Sequence, residues 1–213
     1  MLQTGRQLPK LRVVTYIDGF NLYFGLRENA WQKYMWLDLT ALSLSLTNRE
    51  SQTLLRTKYF TSRISGSKSK EERQSKYLDA LTTIPKLNIY YGRFQDDRKT
   101  CQKCGHSAFL PQEKKTDVNI ATQMLCDAYA DAYDVAIVIS GDADLVPPIA
   151  AVKSQFPNKR VIVAFPPNRF SGELAMTAHN SMHIYESKFR KSRMPMNVTL
   201  PSGIIITQPS KWT

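Results

Sequence analysis

The chain has 213 residues, 42% of them apolar and 10% aromatic, with 29 Lys and Arg against 18 Asp and Glu for a net charge of +11. That length supports one well-buried core of α/β size and is short for two enzyme domains, and the composition excludes a largely disordered chain. No uninterrupted apolar run approaches the roughly 20 residues that cross a bilayer.

In chain order, MLQTGRQLPKLR carries bases but no apolar core of signal-peptide length, so a cytoplasmic location with no membrane attachment is expected. Short β-rich runs follow at Arg12–Ile17, Leu54–Phe60, Leu87–Phe94, Val135–Ile139 and Arg160–Phe165. The first, fourth and fifth are nearly continuous apolar runs, as strands buried on both faces of a parallel sheet require. Helices are expected at Lys70–Thr83 and Thr116–Ala132, the latter with Val118, Ala121, Leu125 and Ala128 at helical spacing and Cys126 buried. Shorter helices are expected at Leu145–Gln155 and Glu173–Ala178. The alternation predicts a three-layer α/β/α domain with a central, mainly parallel sheet.

Two segments break the rhythm. Residues 96–112 contain Cys101-Gln-Lys-Cys104-Gly-His106 and read as an insertion loop without a pattern of its own. After Glu186 the chain is a basic link and a short β-like run, Gly203–Thr207, taken as an appendage. The expected organisation is therefore a domain over 1–186 and a basic C-terminal appendage over 187–213.

Charge is unevenly distributed. Residues 48–103 hold thirteen bases against six acids, and residues 187–213 hold five bases and no acid. Residues 113–144 reverse the balance, with Glu113, Asp117, Asp127, Asp131, Asp134, Asp142 and Asp144 against Lys114 and Lys115. Bases that hold phosphates around an acidic island that holds a cation are what a metal-dependent nuclease needs. Asp127, Asp131 and Asp134 have a plainer reading as a solvated helix face.

Ligands of an open parallel sheet gather beyond the carboxyl ends of its strands. The first strand ends in Asp18-Gly19-Phe20-Asn21 and the fourth in Ser140-Gly141-Asp142-Ala143-Asp144, each pairing an acid with a glycine expected to permit a sharp turn. Asp117, in the first turn of the long helix, reaches the same edge if the preceding connection returns there. Two carboxylates about 4 Å apart repel by about 4 kcal/mol at an effective dielectric of about 20. Convergence of Asp18, Asp117, Asp142 and Asp144 would therefore call for a hard divalent cation, Mg²⁺ or Mn²⁺. Singly, each acid is equally well explained as a helix cap, a dipole partner or a turn acceptor.

The runs Val14–Gly25 (VTYIDGFNLYFG), Glu113–Ala121 (EKKTDVNIA) and Val138–Leu145 (VISGDADL) resemble, in order and spacing, the three signature segments of the NYN-domain family in its LabA-like branch. That family belongs to the PIN-like nucleases, and the similarity covers about Arg12 to Glu186. The resemblance implies a PIN-like (Rossmannoid) fold and an acidic metal site of Asp18, Asp117 and Asp142. It sets Asp144 alongside them and makes Asn21 and Ser140 polar supports. It further implies a phosphate contact at Lys114, RNA as the partner, and hydrolysis of RNA phosphodiester bonds. A homodimer is compatible with it. A catalytically idle domain that binds RNA or a protein is the alternative. The chain departs from the family at Lys115, where many relatives have glycine, and near His179-Asn180, where an Asp is expected before the last strand; His179 and His183 read as structural or surface residues.

Rival chemistries are less well supported. Cys101, Cys104 and His106 supply at most three of the four ligands of a structural Zn²⁺ site, so a zinc knuckle competes with an exposed loop of reduced thiols. A phosphatase with an Asp-x-Asp nucleophile finds only Asp18 after the first strand, and the GxGxxG of a dinucleotide site is missing. Phe20, Tyr23, Phe24, Trp31, Tyr34 and Trp36 read mostly as core, with base stacking the alternative for Phe20 beside Asp18. Lys68, Lys70, Arg73 and Lys76 read equally as a phosphate track or a solvated helix face.

Overall fold

The computed structural model describes residues 9–65, 67–100, 104 and 107–213, with side chains left out of account at 94–100 and 107–114. Its elements run β1 (Leu11–Asp18), α1 (Gly19–Glu28), α2 (Leu39–Leu46), β2 (Gln52–Thr61), α3 (Lys68–Leu81), β3 (Leu87–Tyr91), β4 (Arg93–Thr100), β5 (Ser107–Lys114) and α4 (Thr116–Tyr129). They continue with β6 (Val135–Ile139), α5 (Val146–Gln155), β7 (Arg160–Phe165), α6 (Gly172–Thr177), β8 (Asn180–His183), α7 (Glu186–Lys191), β9 (Asn197–Thr199) and β10 (Ile205–Thr207).

Six strands form the central sheet in the order β3-β2-β1-β6-β7-β8, and every neighbouring pair is parallel. β6 is buried along its whole length, which explains its unbroken apolar run. Helices cover both faces. One core gathers around Val13, Ile17, Trp36, Leu78 and Ile137, the other around Val14, Tyr16, Ile120, Val138 and Val163, so successive β1 residues serve opposite layers. The predicted three-layer arrangement is thus what the chain adopts.

Several local expectations need correction. On α4 the core-facing line is Ile120, Met124 and Ala128, while Val118 is 66% exposed. Cys126, two residues beyond Met124 and so on another helix face, is exposed rather than buried. Asp127 is not solvated: it accepts from Lys58 Nζ at 2.6 Å and from Tyr16 OH at 2.5 Å. Asp131 and Asp134 pair with Arg12, and Asp131 also with Lys159. Pattern reading assigns no element between Asp18 and the second strand, where α1 and α2 form with side-chain caps from Asp18 and Asp38.

The insertion is not patternless. β4 and β5 pair antiparallel, from Arg93 opposite Lys114 to Thr100 opposite Ser107. A two-stranded ribbon tolerates Pro111 because its outer edges need no ladder partner, and such a strand does not alternate legibly. The predicted zinc ligands Cys101 and His106 lie outside the described residues, and Cys104 is exposed.

Residues after Glu186 pack onto the first core. Phe189, Met194, Val198, Ile206 and Trp212 are buried in it. Trp36 Nε1 donates to Pro195 O at 2.8 Å, and the Trp212 ring lies 6.5 Å from Trp36 and 5.8 Å from Tyr77. Among the described residues, no helix is long and apolar enough to cross a membrane.

Candidate metal centre

β1 ends at Asp18, and the same residue caps α1. Asp18 Oδ1 accepts from the Asn21 backbone N–H at 3.0 Å and Oδ2 accepts from Ser140 Oγ at 2.9 Å. Ser140 lies just beyond β6, the strand beside β1, so neighbouring carboxyl ends are tied by one hydroxyl. The same Oγ accepts from Asp142 N–H at 3.0 Å, and Asn21 Oδ1 accepts from Gly141 N–H at 2.9 Å. Asn21 and Ser140 therefore hold the two strand-end motifs together.

Gly141 is required by proximity. A Cβ there would lie 1.8 Å from the Arg169 carbonyl oxygen, and one at Gly19 would lie 2.6 Å from Phe60 O. Neither glycine has the positive φ that the expected sharp turn would need; Gly203 is the positive-φ glycine among the described residues. The sequence motif is right, but its reason is close backbone approach.

Asp117 arrives from the ribbon. β3 ends at Tyr91 on the carboxyl edge, β4 leads away from it, and β5 returns until Lys114 faces Arg93. Lys115 then adopts a left-handed conformation, φ 77° and ψ −7°, and α4 begins. Asn119 Nδ2 donates to Tyr91 O at 3.4 Å across the junction. A glycine would adopt this left-handed turn without steric cost.

One carboxylate oxygen from each of Asp18, Asp117 and Asp142 lies within 4.8 Å of the others, the one such group of potential metal ligands among the described residues. Asp144 stands outside that set: its side chain is exposed, its backbone N–H is held by Asp142 Oδ1 at 3.0 Å, and its charge acts on Asp117 from nearby. Burial pushes the Asp18 carboxyl up to about 6, the hydrogen bonds from Asn21 and Ser140 lower it, and the charges of Asp117 and Asp142 raise it again. Asp117 is raised by burial, then by Asp142 and Asp144. Three carboxylates this close repel one another, and an all-oxygen donor set suits a hard divalent cation.

Phe20 lies two residues after Asp18 and packs against Phe24, with ring centroids 6.2 Å apart. The Lys114 side chain lies outside the described residues. His179 Nδ1 accepts from Val161 N–H at 3.1 Å and the His183 ring lies 5.7 Å from Phe165 and 5.6 Å from Phe170, both histidines being exposed. Sequence reading missed Arg169, whose carbonyl presses on Gly141; no signal at that position points to it.

The NYN domain matches residues 12–185 of this chain. The chain belongs to the NYN domain family. Members are PIN-like and nuclease-like, and the acidic triad sits on the three matching segments. A 6-hydroxy-3-succinoylpyridine 3-monooxygenase of Pseudomonas putida is 25% identical over 240 residues, spanning 95% of this chain and 75% of that protein. A crystal structure of a Vibrio parahaemolyticus protein of unknown function shares the fold, with a TM-score of 0.56 at 19% identity over 85% of this chain and 97% of that one.

Proposed function

We propose that this NYN domain is an endoribonuclease that hydrolyses RNA phosphodiester bonds and depends on Mg²⁺ or Mn²⁺. The observation that carries the reading is the triad Asp18, Asp117 and Asp142 at the carboxyl edge of the sheet. These three acids are the proposed ligands. A bound divalent cation supplies an activated water and stabilises charge developing at phosphorus. Asn21 and Ser140 keep Asp18 ionised and aimed. Asp144 adds negative potential beside Asp117, and Lys114, adjacent to the α4 junction, is assigned to a substrate phosphate.

The decisive measurement is cleavage of end-labelled RNA with and without Mn²⁺, together with Mn²⁺ calorimetry, for the wild type and Asp18→Asn/Asp142→Asn. Metal-dependent cleavage and metal binding should both vanish in the double variant. Equal metal affinity in the two proteins would overturn the reading. RNA binding with no metal-dependent cleavage in the wild type would instead favour the catalytically idle binding domain.

A second reading comes from the Pseudomonas putida relative, whose name describes oxygenation of a substituted pyridine. The feature that favours it is a largely apolar open cavity of about 250 Å³ beside α1, just under the roughly 300 Å³ at which drug-sized sites begin.

A further inference from the structure

The same cavity lies between α1 and α3, beyond the carboxyl end of β2. Gly19 and Phe20 in its wall directly follow Asp18, and Tyr59 and Thr61 flank Phe60, the register partner of Asp18. Phe20, Tyr23, Phe24, Tyr59, Tyr77 and Trp212 are the aromatic residues of its lining. Such walls select a flat ring, because stacking rewards a π face and does not require a matching set of hydrogen-bond donors.

Charge narrows the ligand further. Arg27, Lys70 and Arg73 line the cavity, and no Asp or Glu does. Among the described residues none of these three cations is paired with a carboxylate. Arg27 lies 4.6 Å from the Phe24 ring centroid, and Arg73 Nη1 donates to Ser69 Oγ at 2.6 Å. A ring carrying an anion complements this arrangement, and a nucleotide joins both in one unit.

We propose that this cavity is a base-binding subsite that takes one unpaired nucleotide of the RNA next to the cleavage point, with its base among the aromatic side chains and its phosphate on Lys70 and Arg73. The inference rests on the nuclease reading. Entry of a single base requires local single-stranded character, so the subsite makes the enzyme select unstacked nucleotides. Cation contacts to the phosphate make binding salt-dependent without adding sequence specificity.

The test is an abasic scan in EDTA, so that binding is read without cleavage. A short RNA carrying one abasic ribose at successive positions is titrated by fluorescence anisotropy, and a nucleoside 5′-monophosphate by calorimetry. One abasic position should weaken binding by about tenfold or more, with its neighbours nearly neutral. Phe24→Ala/Arg73→Ala should abolish that position dependence and lose the monophosphate, while Mn²⁺ affinity stays at the wild-type value and so reports an intact fold. Lys70→Ala/Arg73→Ala, which keeps the aromatic walls, should weaken every RNA in the scan and flatten its salt slope. If the wild type cleaves RNA but no abasic position matters, the subsite is wrong and the nuclease stands. If no RNA is cleaved yet the scan shows one sensitive position, the cavity stands as a base-binding site, while its place beside a cleavage point fails together with the nuclease reading. A pyridine carboxylate binding tenfold tighter than the monophosphate, or no binding of either nucleotide probe, overturns the subsite.

Discussion

The Ser140 hydroxyl donates to Asp18 Oδ2 at 2.9 Å while accepting from the Asp142 N–H at 3.0 Å, so one side chain sets the relation between two proposed metal ligands. Ser140→Ala removes both contacts inside a buried environment. A lost hydrogen bond to a buried charged group costs about 1–3 kcal/mol. The Asp18 carboxyl should rise further, since Ser140 lowers it, and Mn²⁺ affinity should fall about tenfold by calorimetry. Unchanged affinity would mean that Asn21 alone suffices to position Asp18.

Metal binding should depend on pH through Asp18. Its carboxyl stands at about 6 in the folded, metal-free protein against an ordinary 3.8. The folded state therefore holds the proton more tightly. This group's stabilising contribution is fully present below pH 3.8 and is lost as pH rises through about 6, on the order of 3 kcal/mol. A cation competes with that proton, so Mn²⁺ affinity should be level above about pH 6 and fall roughly tenfold per unit below it. Calorimetry in two buffers of different ionisation enthalpy should show proton release near pH 6 that is absent in Asp18→Asn.

Lys115 holds a left-handed backbone that glycine adopts without steric penalty. Lys115→Gly should raise stability by about 0.5–1 kcal/mol, after the extra freedom gained by the unfolded chain is offset. Urea unfolding of the metal-free protein reads this directly. A destabilised variant would show that the lysine side chain makes contacts worth more than the strain.

Trp212, 8% exposed, packs against Trp36 and Tyr77. Trp212→Ala should cost about 3 kcal/mol or more, the range for truncating a core aromatic. A loss below about 1 kcal/mol in urea unfolding would mean that the C-terminal segment contributes little to the core. Of the five basic residues in that segment, Lys188 donates to Ser45 O, while Arg190, Lys191, Arg193 and Lys211 are exposed.

The sheet's buried strands were legible because a strand covered on both faces needs a continuous apolar run, as in Val135–Ile139. The site acids were legible because strand ends of an open parallel sheet collect ligands, and both motifs stood there in plain sequence order. Local pattern carried no information about the ribbon of β4 and β5, whose pairing depends on backbone hydrogen bonds between residues with little alternation and a proline. Yet that ribbon decides the site: by returning Lys114 opposite Arg93 it delivers Asp117 to the edge where Asp18 and Asp142 already lie. Likewise, Gly141 is visible as a glycine, but the Arg169 carbonyl that forbids any side chain there comes from a loop 28 residues away. The aromatic cavity needs α1, β2, α3 and the C-terminus at once. Continuous apolar runs mark the strands buried on both faces; which face of α4 turns inward and which elements meet are properties of the packed core, where close approach and long-range pairing do the selecting.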